Sequence, residues 1–127
     1  MFKNLTEFGM YDKLYFYNAT VKSVYDGDTV TVDIDLGIKT WIHEEKLRLY
    51  RINAPELRGD EREAGLKSRD YLRSLIDGKE IFIETIKDKQ GKYGRYLAEI
   101  WLEQENDTWI NINDLLVTDG YAEYHDY

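Results

Sequence analysis

The sequence contains no cysteine, only two histidines, His43 and His125, and a single proline, Pro55. The absence of cysteine excludes disulfide bonds and thiolate ligands for a metal ion. Two isolated histidines do not provide the ligand set of a zinc site. The sequence also lacks any apolar run of the roughly 20 residues that a membrane-spanning helix needs. We therefore expect no membrane segment and a core that forms without covalent cross-links.

The N-terminus lacks the pattern of a secretory signal. The charged residues Lys3, Glu7 and Asp12 interrupt it, whereas a signal peptide needs an uninterrupted apolar segment. We therefore expect a cytoplasmic protein. No linker rich in Pro, Gly or Ser divides the 127 residues, which indicates one domain at residues 14–127 after an N-terminal extension at residues 1–13. We expect this domain to be a monomer.

Basic residues are concentrated in one part of an otherwise acidic chain, whose net charge is −8. Residues 46–95 hold 13 of the 17 Lys and Arg residues against 9 Asp and Glu residues, and the rest of the chain holds 4 basic and 16 acidic residues. A basic segment can bind a polyanion such as nucleic acid. Charges also segregate where they only solvate a surface. The charge pattern alone leaves both interpretations open.

Periodicity predicts strands on both sides of one long helix. Apolar and polar residues alternate from Val30 to Leu36, which is typical of a half-buried strand. Pro55 ends the third strand because proline cannot donate a ladder hydrogen bond. Asn111 suits the N-cap of a short final helix. We predict strands at residues 14–24, 30–36, 47–52, 80–87 and 95–102, a polar connection at 38–45, a long helix at 61–77 and a short helix from Ile112.

Three consecutive strands, a helix, two strands and a final helix describe an α+β fold. We predict a five-stranded OB-like β-barrel with one long helix and a short C-terminal helix. Barrels of this type often bind nucleic acid, but the fold alone does not establish a function.

Four short motifs carry candidate chemistry, and each one alone has an ordinary structural explanation. In these explanations the first motif is a polar turn, the second a strand-end arginine, the third a strand-ending turn and the fourth a solvated basic loop. The motifs are Asp26-Gly27-Asp28-Thr29, Arg48, Asn53-Ala54-Pro55-Glu56 and Lys92-Tyr93-Gly94-Arg95.

Taken together, the four motifs resemble those of the staphylococcal nuclease-like (thermonuclease) family in order and approximate spacing. Further matching positions are Leu97-Ala98, Asn113 before Leu116-Val117, and Gly120 before Ala122. The resemblance runs from about residue 18 to residue 122. It implies a calcium-dependent nuclease that hydrolyses phosphodiester bonds of DNA or RNA with little sequence specificity and with 3′-phosphate products.

The resemblance also implies a metal site at the mouth of the barrel. Asp28 would be a carboxylate ligand, Asp26 would add a nearby negative charge, and Ala54 would offer its backbone carbonyl. Asn53 stands where the family has a second carboxylate. Calcium accepts amide oxygens, so the number of oxygen ligands can be kept. Because one negative charge is lost, we expect either weaker calcium affinity or a site that the substrate phosphate completes. Manganese and magnesium remain alternative metals.

For catalysis, the resemblance implies that Glu56 is the general base and that Arg48 and Arg95 hold the scissile phosphate. Planar guanidinium groups suit paired contacts to phosphate oxygens. Lys92 and Tyr93 would bind the terminal phosphate and flank the nucleotide. The alternative is a non-catalytic module that binds nucleic acid or protein on the same barrel. The acidic net charge and Asn53 favour this alternative, whereas the joint presence of Asp28, Arg48, Glu56 and Arg95 argues against it.

Overall fold

The computed structural model describes residues 14–91 and 93–127. The predicted N-terminal extension and Lys92 therefore lie outside the described residues. The strands and helices follow one another along the chain as β1 (Phe16–Asp26), β2 (Thr29–Gly37), β3 (Thr40–Leu49), β4 (Ile52–Asn53), α1 (Arg62–Ile76), β5 (Glu80–Gln90), β6 (Tyr96–Glu103), β7 (Trp109–Asn111), α2 (Ile112–Thr118) and β8 (Glu123–Tyr124).

Five of these strands close into a mixed barrel in the order β3-β2-β1-β5-β6, and parallel pairing of β3 with β6 completes the ring. The closing pairs join Leu47 to Tyr96, Arg48 to Leu97 and Leu49 to Ala98. The remaining neighbouring pairs in the ring are antiparallel. The predicted α+β fold with a five-stranded OB-like barrel and two helices is confirmed.

The core fills the barrel interior because each strand directs alternate side chains inward. Val30 and Val32 of β2 are buried, with the intervening Thr31 less so, as the alternating pattern predicts. Full burial of one aliphatic side chain contributes roughly 1.5–3 kcal/mol. The largest fully buried side chains are Leu47, Leu49, Ile52, Leu72, Ile76, Ile83, Leu97, Ile100, Ile112, Leu116, Val21 and Val30.

Helix α1 packs on the barrel through Gly65, Ser68, Leu72 and Ile76. Helical spacing in the sequence predicts an inward stripe that includes Ala64, Ser68, Leu72 and Ile76; the last three are buried, whereas Ala64 is exposed and Gly65 is buried in its place. The sequence also offers Asp60 as the N-cap, but a 3₁₀ turn over Gly59–Glu61 precedes the helix and Glu61 occupies the N-cap without a side-chain hydrogen bond.

Helix α2 begins as the sequence predicts, since the Asn111 side chain accepts a hydrogen bond of 2.9 Å from the Asp114 backbone N–H. Two features differ from expectation. Residues 40–45 belong to β3 rather than to a connection, and β4, β7 and β8 were not predicted. Among the described residues, no helix is both long and apolar enough to cross a membrane.

Candidate functional site

One cavity of about 660 Å³ brings together the sequence-predicted site residues. Its walls come from the β1–β2 turn, the end of β3, the loop after β4, the approach to β6 and the C-terminal segment. Every predicted site residue that the structure describes lines this cavity: Asp26, Asp28, Arg48, Asn53, Ala54, Glu56, Tyr93 and Arg95. Lys92 lies outside the described residues, so its role stays a prediction.

The β1–β2 turn places two carboxylates at the cavity. Asp26 Oδ1 accepts a 3.0 Å hydrogen bond from the Asp28 backbone N–H, which closes the turn locally. Gly27 allows this turn to approach its neighbours, since a Cβ there would lie 2.7 Å from the Cβ atoms of Ala54 and Ser68. The turn is thereby seated between the loop after β4 and helix α1.

Asp28 is only 6% exposed, and its two carboxylate oxygens contact three hydrogen-bond donors. Oδ2 accepts a 2.8 Å hydrogen bond from the Ala54 backbone N–H and lies 3.2 Å from Arg48 Nη2. Oδ1 accepts a 3.3 Å hydrogen bond from the Thr29 hydroxyl. Burial, followed by repulsion from Asp26, raises the pKa of Asp28 to about 7 against the opposing effects of Arg48 and the Ala54 N–H.

Arg48, at the end of β3, is held by protein acceptors at both terminal nitrogens. Nη1 donates to the carbonyl oxygens of Leu49 at 3.0 Å and Ile52 at 3.1 Å. Nη2 donates to Asn53 Oδ1 at 3.0 Å and pairs with Asp28. The sequence predicts an arginine available for paired phosphate contacts. In the structure, Nη2 already contacts Asn53 and Asp28. It could therefore contact a phosphate oxygen only after it releases one of these two partners.

Arg95 is less fully satisfied than Arg48. Its Nη1 donates a 2.9 Å hydrogen bond to the Thr29 hydroxyl oxygen, and its Cζ lies 5.1 Å from the centroid of the Tyr93 ring. Its Nε is buried and has no hydrogen-bond partner among the described residues. Because an unpaired buried donor is costly, this nitrogen indicates a place for an incoming acceptor such as a phosphate oxygen.

Glu56 lies in the loop between β4 and α1, with its side chain exposed on the cavity wall. Its backbone N–H donates a 3.1 Å hydrogen bond to Glu61 Oε2. Gly65 of α1 packs directly on the same segment, since a Cβ at Gly65 would lie 2.1 Å from the Glu56 carbonyl oxygen. The helix therefore fixes the backbone that carries the Glu56 carboxylate.

Three further residues take part in the site without having been assigned a role from the sequence. The Thr29 hydroxyl links Arg95 to Asp28, and His125 and Tyr127 form part of the cavity wall. Thr29 belongs to the first motif and could have been found there. His125 and Tyr127 reach the cavity through long-range pairing of the C-terminal segment, which no local motif announces.

The oxygen donors at the cavity suit a hard divalent cation. Asp26 and Asp28 provide carboxylates, Asn53 an amide oxygen and Ala54 a backbone carbonyl, which are ligand types that calcium accepts. Within residues 14–91 and 93–127, no three His, Cys, Asp or Glu side chains form a group that could hold a metal. A cation here would therefore depend on neutral oxygens as well as on the two carboxylates.

Sequence comparison agrees with the fold. The family model described as staphylococcal nuclease homologue matches residues 46–127. The chain belongs to this nuclease family. It is 26% identical to a thermonuclease of Staphylococcus hyicus over 126 residues, which cover 93% of this chain and 68% of that protein.

Two other relatives are also similar to the chain. An uncharacterised protein of Methanocaldococcus jannaschii is 32% identical over 123 residues, covering 85% of this chain. A thermonuclease of Staphylococcus intermedius is 28% identical over 88 residues, covering 67% of this chain. The chain spans 58% of the length of the first protein and 49% of the second.

Proposed function

We propose that this protein is a metal-dependent nuclease that hydrolyses phosphodiester bonds of DNA or RNA and leaves 3′-phosphate products. The observation that supports the proposal most strongly is the position of Asp28, Arg48, Glu56 and Arg95 on one cavity in a chain of a nuclease family. A cation-binding carboxylate, two guanidinium groups and a base are the groups that phosphodiester hydrolysis needs.

The phosphate would bind where the arginines meet the cavity. Arg95 Nε lacks an acceptor, so a phosphate oxygen would satisfy a donor that is otherwise buried and unpaired. Arg48 would stabilise negative charge that develops on the equatorial oxygens. The exposed ring of Tyr93 offers a stacking surface for a base. Stacking is tolerant of base identity, so we expect little sequence specificity.

Glu56 would act as the general base. Its exposed carboxylate faces the same cavity as the arginines, where it can take a proton from a water that attacks phosphorus. The bond to the 5′ oxygen then breaks, this oxygen takes up a proton from water to become a hydroxyl group, and the phosphate stays on the 3′ oxygen. Calcium, the metal that we propose, would add positive charge beside the phosphate. Asp26, Asp28, Asn53 and Ala54 would hold it, and Lys92 would contact the terminal phosphate.

Two observations favour a second candidate, a module that binds nucleic acid without cleaving it. Both terminal nitrogens of Arg48 already donate to protein acceptors, and Asn53 lowers the negative charge available to a cation. In this case the same cavity would retain single-stranded nucleic acid. The two candidates differ only in whether the bound strand is cut.

The decisive experiment measures cleavage of plasmid, single-stranded DNA and RNA with calcium, manganese or magnesium and with a chelator. We expect metal-dependent cleavage and at least a 100-fold loss in Glu56→Gln, since a general base typically contributes about 10²–10⁴-fold. Glu63→Gln, on the exposed face of α1, is the matched control and should cut normally. If no metal supports cleavage, or if Glu56→Gln cuts at the normal rate, the nuclease proposal is wrong.

A further inference from the structure

The C-terminal segment runs along the stretch of chain that follows Arg48. Strand β8 pairs antiparallel with β4, so that Tyr124 faces Ile52 and Glu123 faces Asn53. The pairing continues past the strand, because the His125 backbone N–H donates a 2.8 Å hydrogen bond to the Arg51 carbonyl. This register brings the next residues to the wall of the cavity.

Tyr127 contacts the same groups that hold Arg48. Its ring centroid lies 5.4 Å from Arg48 Cζ, within the range of a cation–π contact. Its hydroxyl donates a 3.0 Å hydrogen bond to the Ile52 carbonyl oxygen. That oxygen also accepts the 3.1 Å hydrogen bond from Arg48 Nη1. One carbonyl therefore joins the arginine and the tyrosine, and the ring covers the guanidinium.

We propose that Tyr127 is a positioning residue that holds the Arg48 guanidinium in its working orientation. The ring limits rotation of the guanidinium, and the hydroxyl fixes the carbonyl on which Nη1 rests. Nη2 is thereby kept beside Asp28 and Asn53, where an exchange of partners would bring it to a phosphate. The catalytic part of this inference rests on the proposed nuclease function, whereas the effect on Arg48 itself does not.

The same segment provides a matched control. Tyr124 lies over Arg51, with 5.8 Å between the ring centroid and Cζ, and its hydroxyl donates a 2.9 Å hydrogen bond to Asp114 Oδ1. Arg51 pairs with Glu99 and Asp114, and neither Tyr124 nor Arg51 lines the cavity. The two tyrosines therefore make similar contacts to two arginines, of which only one belongs to the site.

The first test separates kcat from KM in Tyr127→Phe, Tyr127→Ala and Tyr124→Ala. Because removal of the ring frees the guanidinium that it covers, we expect kcat of Tyr127→Ala to fall about tenfold with a smaller change in KM. Tyr127→Phe keeps the ring and should recover most of this loss. Tyr124→Ala should keep kcat and KM within about twofold, although its thermal stability falls.

The second test observes Arg48 directly by nitrogen-15 NMR of the guanidinium, assigned by loss of its signals in Arg48→Lys. We expect restricted rotation of the Arg48 guanidinium in the parent protein and in Tyr127→Phe, and faster rotation in Tyr127→Ala. Unchanged rotation in Tyr127→Ala would overturn the inference, as would a normal kcat in that variant of an active enzyme. If the parent protein cuts nothing, the nuclease proposal fails by itself, and the NMR comparison still decides whether Tyr127 orients Arg48.

Discussion

The Asp28 carboxylate shows how burial and hydrogen bonding compete at a single residue. Removing a carboxylate from water favours its neutral form, whereas hydrogen bonds and a nearby cation favour its ionised form. Asp28 receives donors from Ala54, Thr29 and Arg48. Burial and the charge of Asp26 outweigh them and raise its pKa to about 7. The carboxylate is therefore stabilised best when a further cation joins the site.

This pKa predicts how stability depends on pH in the metal-free protein. Between about pH 4 and pH 7 the folded protein retains a proton at Asp28 that the unfolded chain has lost, so stability falls as pH rises and levels off above about pH 7. The loss amounts to at most about 4 kcal/mol, since a tenfold change in a proton equilibrium is worth about 1.4 kcal/mol. Chemical denaturation with a chelator present, at pH 4.5 to 8, measures it.

The control for this prediction is Asp28→Asn, which cannot ionise at this position. Its stability should decline less between pH 4.5 and pH 7 than that of the parent protein. Asp35→Asn, at a half-buried carboxylate of β2 that lies outside the cavity, should leave the decline unchanged. Parallel stability curves for the parent protein and Asp28→Asn would show that the pKa of Asp28 is close to its ordinary value.

Much of the site composition could be predicted from the sequence at this scale, but not the contacts. Asp28, Glu56 and Arg95 lie in short motifs, so their presence can be recognised locally. Three acceptors of Arg48 are close to it in the sequence, on Leu49, Ile52 and Asn53. Its contacts with the Asp28 carboxylate and the Tyr127 ring come from distant parts of the chain, so local patterns cannot reveal them.

At the scale of elements, helix α1 positions the loop that carries Glu56. The two backbones approach so closely that only glycine fits at position 65. In an ordinary helix interior, replacing glycine by alanine stabilises the helix by about 1 kcal/mol. Here the added methyl group would meet the Glu56 carbonyl oxygen at 2.1 Å, so the helix or the loop must move.

We therefore predict that Gly65→Ala destabilises the fold by about 1–3 kcal/mol, the usual cost of overpacking, and lowers kcat by displacing Glu56. Urea denaturation and steady-state kinetics measure the two effects. Lys67→Ala, at an exposed position of the same helix, should change neither by much. A gain in stability in Gly65→Ala would mean that the loop moves away from the added methyl group without loss of stability, and that α1 does not fix the loop.

The β2–β3 hairpin shows why some elements could not be predicted. Gly37 pairs with Thr40, so Ile38 and Lys39 form the turn, with φ values of 53° and 61°. Such a turn needs positive φ at both central residues and usually contains Asn-Gly or Asp-Gly. Ile-Lys carries no such signal, and the polar residues after it suggested a connection. The two-residue strands β4 and β8 are too short for periodicity to reveal.

Over the whole molecule, the fold class and its five-stranded barrel could be predicted, but the residue pairs that close the barrel could not. The alternating pattern of β2 and the apolar positions of α1 follow from the sequence, because each depends on local periodicity. Closure depends on the parallel pairing of β3 with β6, which joins residues about 50 positions apart. That pairing brings Arg48 and Arg95 to the same cavity, so the site depends on a contact that local patterns do not encode.

The charge distribution predicts how the whole molecule binds nucleic acid, the proposed substrate. The net charge of −8 opposes binding of a polyanion, so affinity must come from basic residues at the cavity, among which Arg58 is exposed. We expect the affinity of Glu56→Gln for a single-stranded oligonucleotide to fall with salt, and the slope of log K against log salt to decrease by about 0.7 when Arg58→Gln removes one phosphate contact. Lys22→Gln, which changes the net charge equally but lies outside the cavity, should leave the slope unchanged. Fluorescence anisotropy measures the affinity at each salt concentration. Equal slopes in Glu56→Gln alone and with either added substitution would mean that the binding surface lies outside the cavity.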